Sequence, residues 1–175
     1  MRAIHDDAAA VLAGVVPEDP RNPATWPTWA SLASHSTAPH LHLAHRPELR
    51  TTLVGALHFL IRSGRPRHAV ELASALREEW TGQLGRDHPD VLTCMHYLGH
   101  ATSDSGDVLE ARPIIADTFV RCRATLGDEH PDTLHSANDL AAVHRQLGVD
   151  AEALRICEDT LARRRRVRAT HTRTR

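Results

Sequence analysis

The stretch Leu84-Gly85-Arg86-Asp87-His88-Pro89-Asp90-Val91-Leu92 returns 42 positions later as Leu126-Gly127-Asp128-Glu129-His130-Pro131-Asp132-Thr133-Leu134. A period between about 20 and 50 residues marks an architecture of stacked units, each too small to bury its own apolar face. Three further columns keep the register: Pro47, Pro89 and Pro131; Gly64, Gly106 and Gly148; Ala69, Ala111 and Ala153. Three units follow, predicted over residues 47–88, 89–130 and 131–167, the first degraded at its start.

Each unit opens with proline and an acid: Pro47-Glu48, Pro89-Asp90, Pro131-Asp132. Proline suits the first helical position, where a backbone donor is not needed, and a carboxylate there complements the positive end of the helix dipole. A first helix A of about sixteen residues should therefore run to the glycine column, because a left-handed glycine commonly ends a helix. Helix B follows. Its alanine column allows close approach to helix A, where a larger side chain would wedge the pair apart. The next apolar column, Leu72, Ile114 and Ile156, falls three positions on and so on the same face. Helix A answers with Ala56-Leu57, Leu98-Gly99 and Leu140-Ala141. Antiparallel helix pairs that stack on their neighbours give an all-α, right-handed solenoid of helix-turn-helix pairs. The array then breaks, because a fourth unit would need Leu-Gly where Arg168-Ala169 stands.

Residues 1–46 are predicted to form N-terminal helices and a tryptophan-bearing cap. A short helix is expected over 3–16, and Pro17, Pro20 and Pro23 then force an extended connection. A second helix is predicted to start at Thr25 as cap with Pro27 in its first turn. Trp26 and Trp29 are three apart, point the same way, and should pack the N-terminal end of the array. His40, His42 and His45 carry no interleaved acid, so a polar helix face or loop fits them better than a metal site.

All 21 basic residues are arginine. Residues 163–175 hold seven arginines and no acid, so a chain of net charge −1 divides into an acidic body and a basic end; residues 168–175 are predicted to be an Arg-rich disordered tail. Cys94, Cys122 and Cys157 lack the spacing of a zinc knuckle or a disulfide framework and are expected to be buried free thiols in a reducing cytosol. The apolar run Ala8 to Val16 follows two aspartates and is too short to span a bilayer, which points to a cytoplasmic protein without a membrane segment.

At these residues the chain resembles the tetratricopeptide repeat in its longer, kinesin-light-chain-like form, whose units carry LGxDHPDTL, then SANNLA, then LGxxxEA. The third unit matches best, with Leu126 to Leu134, Ser136-Ala137-Asn138-Asp139-Leu140-Ala141, Leu147-Gly148 and Glu152-Ala153. The second keeps the first block and Glu110-Ala111 but has Cys94-Met95-His96-Tyr97-Leu98 in place of the asparagine block. The segment Asp19 to Ala30 is similar to the junction preceding such arrays in large actinobacterial signalling ATPases of the STAND or NB-ARC type. No phosphate-binding loop accompanies it, since the chain has no lysine.

The resemblance implies a non-enzymatic protein-interaction module, an adaptor or sensor fragment, that holds a peptide or partner protein on a concave face lined by the A helices. The family's asparagine for the peptide backbone falls on Asn138, and its counterparts are His96 and Val54. His58 and His100 are one period apart and His96 is one helical turn from His100; with Tyr97 and His144 they complete the candidate partner-binding set. Groove histidines could instead bind a metal or small ligand. The arginine tail offers a nucleic-acid alternative, although arginines at a helix C-terminus also complement its dipole and the family reads RRRRVLG at this point. No nucleophile elbow, metalloprotease motif or cofactor loop occurs, so no catalytic residue, metal or cofactor is assigned. Self-association through the C-terminal repeat is a further expectation.

Overall fold

In the computed structural model of the chain the described residues are 20, 22–35 and 47–173. The expected helix over 3–16 and the histidines 40, 42 and 45 lie outside them. Among the described residues there are seven α-helices and no strand. They are α1 (Trp26–His35), α2 (Pro47–Arg62), α3 (Pro66–Leu84), α4 (Pro89–Asp104), α5 (Val108–Leu126), α6 (Pro131–Gln146) and α7 (Asp150–Arg173), with a 3₁₀ turn (Pro23–Thr25) leading into α1. The chain forms two compact units, Met1–Ala101 and Thr102–Arg175.

The three A helices α2, α4 and α6 are each 16 residues long and each begins on its proline. All three end in the same way. Gly64, Gly106 and Gly148 have φ of 74°, 97° and 75°, conformations in which a Cβ would be strained. The amide after each glycine donates to the carbonyl five residues back: Arg65 to Leu60 at 2.9 Å, Asp107 to Thr102 at 3.2 Å, Val149 to His144 at 2.8 Å. The glycine amides themselves donate to Ile61, Ser103 and Arg145. This paired Schellman pattern satisfies the last carbonyls of each A helix. The residue after each glycine then accepts the first bond of helix B, from Ala69, Ala111 and Ala153 in turn. One bend is thus built three times.

The other bend uses the long motif. Gly85 and Gly127, also at positive φ, end α3 and α5, and three residues later the chain reaches histidine. His88 and His130 are the N-cap residues of α4 and α6: each ring Nδ1 accepts from the backbone amide of the aspartate two residues on, at 3.1 Å for Asp90 and 3.2 Å for Asp132. Asp-His-Pro-Asp and Glu-His-Pro-Asp are helix starts, in which histidine takes the capping role usual for serine or asparagine.

In the first unit, Trp26 meets Phe59 edge to face with centroids 5.9 Å apart, and Trp29, 1% exposed, covers Gly55 one turn away. The tryptophan pair therefore packs α1 on α2, as the three-residue spacing predicts. The Thr25 hydroxyl donates back to the Asn22 carbonyl at 2.8 Å, so Thr25 closes the 3₁₀ turn that feeds α1. Ala69, Ala73, Leu76 and Trp80 of α3 are fully buried, and the Cys94 thiol of α4 donates to the Ala73 carbonyl. Arg50 of α2 reaches Asp90 of α4 at 2.6 Å.

In the second unit Ala111, Ile115, Ala137, Leu140, Ala141, Val143 and Ile156 form one core, with Val108, Ala116, Phe119 and Leu147 packed against it. The alanine column behaves as expected, at 0%, 0% and 7% exposure for Ala69, Ala111 and Ala153. The column beyond it holds for Leu72 and Ile156, but in α5 it is Ile115 that is fully buried while Ile114 is half-buried, because Ile115 faces the core residues of α6.

Two expectations are corrected. The segment read as a disordered tail from 168 continues α7 through Arg173, since neither glycine nor proline follows Gly148 in this helix to end it. Cys157 is exposed, whereas Cys94 and Cys122 are buried as expected.

Candidate functional site

Four of the predicted residues come together in the first unit. Tyr97 of α4 receives His58 of α2 edge to face, with centroids 6.2 Å apart and planes at 87°, and its chain neighbour His96 at 5.2 Å and 74°. His96 in turn lies 6.4 Å from His100, one helical turn further along α4. The four rings are half-buried. Behind them Ala56, Leu57, Leu98 and Ala101 are buried, so the cluster rests on core and is held by it. Such a group offers ring edges and faces for stacking, imidazole nitrogens that donate or accept, and a phenol that does both. Among the described residues no group of three or more His, Cys, Asp and Glu side chains is placed to hold a metal ion.

Asn138 and His144 belong to α6 in the second unit. Asn138 is half-buried. His144 is only 8% exposed, and its Nδ1 is enclosed without a hydrogen-bond partner. Unlike the other five residues of the expected partner-binding set, it is buried. Six positions from Asn138 on a helix of 3.6 residues per turn, it points elsewhere and packs inward. It lies near enough to Glu152 of α7 to be felt there: the Arg155 hydrogen bond, then the charges of Arg155 and His144, hold that carboxyl below its ordinary value.

The arginines of α7 are partly committed inside the fold. Arg163, 14% exposed, donates to Asp128 at 2.6 Å and to Asp159 at 2.8 Å, while Arg123 reaches the same Asp128 oxygen at 2.8 Å. Arg166 lies 3.7 Å from Glu129. Hydrogen bonds from Arg163 and Arg123 push the Asp128 carboxyl below its ordinary range, and Asp159 and Asp128 push Arg163 up. These are the contacts of a helix end tied to the preceding loop. Arg164 and Arg165 remain exposed. The buried thiols are poor nucleophiles: burial pushes Cys94 up to about 12 and raises Cys122 as well.

A second surface lies on the last helix, where self-association was expected without named residues. Leu154, Cys157 and Leu161 are exposed along one side of α7. One period earlier, Cys157 and Leu161 correspond to Ile115 and Phe119, which pack in the core against α6. The repeat columns held that signal, but only if the occupant of the covering position was known.

Helices that pair consecutively, turn on period-spaced glycines and carry no strand among the described residues define the class, an α-solenoid of helix-turn-helix repeats. More particularly, residues 101–166 match the family model of the tetratricopeptide repeat. Among solved structures the chain is similar to a protein from Podosopora anserina described as a kinesin light chain with nearly identical TPR-like repeats. One crystal structure has 21% identity and a TM-score of 0.58, covering 94% of this chain and 86% of that one. A single-substitution variant of that protein has 20% identity and a TM-score of 0.61, covering 95% and 86%. At this identity the likeness establishes the fold. No curated protein sequence matches the chain. Tetratricopeptide repeats generally mediate protein–protein interactions on a scaffold that is typically non-enzymatic. No helix among the described residues is long and apolar enough to cross a membrane.

Proposed function

We propose that this chain is an adaptor or sensor module whose A helices present a concave face to an extended peptide or a partner protein. The observation that carries the reading is the ring cluster of His58, His96, Tyr97 and His100 on α2 and α4, half-buried over a packed core. Residues on a rigid support lose little entropy when they bind, and aromatic residues with polar tips are favoured at the centre of interfaces. In the second unit, taken by itself, Asn138 of α6 carries an amide that can both donate to and accept from a peptide backbone. A module acting in the cytoplasm beside a signalling ATPase is supported by the likeness of Asp19 to Ala30 to the junction found in such systems.

A photo-crosslinking amino acid at position 96, compared with one at the exposed position 67 on α3, tests this in extract of the native host. Crosslinks to a defined protein at 96 only, lost in Tyr97→Ala with its helicity retained, are expected. Equal labelling from both positions, or capture unaffected by Tyr97→Ala and His58→Ala, would overturn the reading.

A further inference from the structure

The exposed side of α7 is built for a companion helix. Along it Asp150, Leu154, Cys157, Leu161 and Arg164 follow one another at spacings of four, three, four and three, the seam of a helix that packs on another helix. Leu154 is 60% and Leu161 49% exposed. In the preceding pair this side is covered by α6, with Ile115 2% exposed, and Ser136 of α6 lies against Cys122 of α5. Among the described residues nothing covers this side of α7 in the same way. Where α3 and α5 end at Gly85 and Gly127, α7 passes through Ala169 as helix.

The charges along this helix state which companion fits. Its first half carries Asp150, Glu152, Glu158 and Asp159 and its last part Arg163, Arg164, Arg165 and Arg166. Glu152, Asp159, Arg163 and Arg166 are engaged within the fold, by Arg155, Arg163, Asp128 with Asp159, and Glu129 respectively, which leaves Asp150 and Glu158 against Arg164 and Arg165. A helix that is acidic at one end and basic at the other is complementary to itself when reversed and repels itself when parallel.

We infer that α7 is a self-association surface, occupied by α7 of a second copy of this chain running antiparallel to it. In this arrangement Cys157 of each copy packs on Leu161 of the other, and Arg164 of each lies over Leu154, between the carboxylates of Asp150 and Glu158. A symmetric pairing closes, because the same patch serves on both copies. The surface is separate from the ring cluster on α2 and α4, so the inference does not rest on the partner-binding reading.

Sedimentation equilibrium of the whole chain across a wide concentration range, with a melt of every variant, is the test. The wild type is expected to approach twice the monomer mass, and Leu161→Glu to stay monomeric while keeping its helicity and melting temperature. Arg164→Glu should weaken the dimer about tenfold, and adding Asp150→Arg with Glu158→Arg should restore it, which a merely structural role for Arg164 would not produce. Leu161→Cys under mild oxidation should trap a disulfide to Cys157 of the other copy. A wild type monomeric at every concentration, a dimer that survives Leu161→Glu, or failure of the charge reversal to rescue would each overturn the inference.

Discussion

The indole of Trp29 lies over Gly55, so close that a Cβ on Gly55 would come within 2.9 Å of the ring Cζ3 and closer still to Cη2. Glycine inside a helix ordinarily costs about 1 kcal/mol relative to alanine, so a Gly→Ala change should stabilise where space allows. At Gly55 the rigid ring is 1% exposed and cannot turn aside, and overpacking costs about 1–3 kcal/mol. Gly55→Ala should therefore lower the denaturant midpoint, whereas Gly82→Ala in α3, with nothing within 4 Å of its Cβ, should raise it. Opposite signs in the two melts are the expected outcome.

What the sequence revealed and what it concealed separate along physical lines. The bends at Gly64, Gly106 and Gly148 were legible because positive φ and the missing proline donor are demands of the local backbone, imposed on the residue that stands there. The alanine column was legible for the same kind of reason, since only a small side chain permits that approach. Burial of His144, exposure of Cys157 and the place of Gly55 beneath Trp29 depend on which distant helix covers a face. No periodicity within one helix reports that. Of the candidate site, the grouping of His58, His96 and His100 followed from the period, while the part of Tyr97 as the ring joining His58 to His96 needed coordinates.

Pro113 stands inside α5, five positions beyond its first residue. It leaves the carbonyl of Leu109 without its helical donor, and both residues are exposed, so water can satisfy the carbonyl. Nothing in the packing compensates for the lost bond. Pro113→Ala should stabilise the protein by about 1–3 kcal/mol, seen as a higher midpoint with an unchanged denaturant slope. An unchanged or lower midpoint would show that the proline serves a purpose beyond the helix.

His130 holds the start of α6 through a single Nδ1 bond to the Asp132 amide. His130→Ala should cost about 1 kcal/mol, and His130→Asn, which keeps a short acceptor at the cap, should recover most of it. His88→Ala should behave alike at α4, since its geometry is the same. Urea titrations of the three variants measure this. Catalytic or metal-dependent roles for these histidines would not be rescued by asparagine.

Asp128 is where three elements meet: Arg123 from the end of α5 and Arg163 from α7 both bond the same carboxylate oxygen, in the loop that leads to α6. Hydrogen bonds from the two guanidiniums lower its pKa below the ordinary 3.8, so the folded state binds the proton more weakly than the unfolded one. For a carboxyl shifted in this direction the stabilisation is complete above the unfolded value and disappears as pH falls through the folded one. The group is solvent-exposed and its pairs are screened, so the effect should be modest and should shrink with added salt. Asp128→Asn should therefore melt below wild type at pH 7 and low salt, and the two curves should converge as pH falls below about 4. Arg163→Gln should show the same convergence, because it removes one side of the same contact, although it also releases Asp159. A gap between wild type and Asp128→Asn that stays constant from pH 7 to pH 2 would place the contribution of Asp128 in the loop backbone and not in its charge.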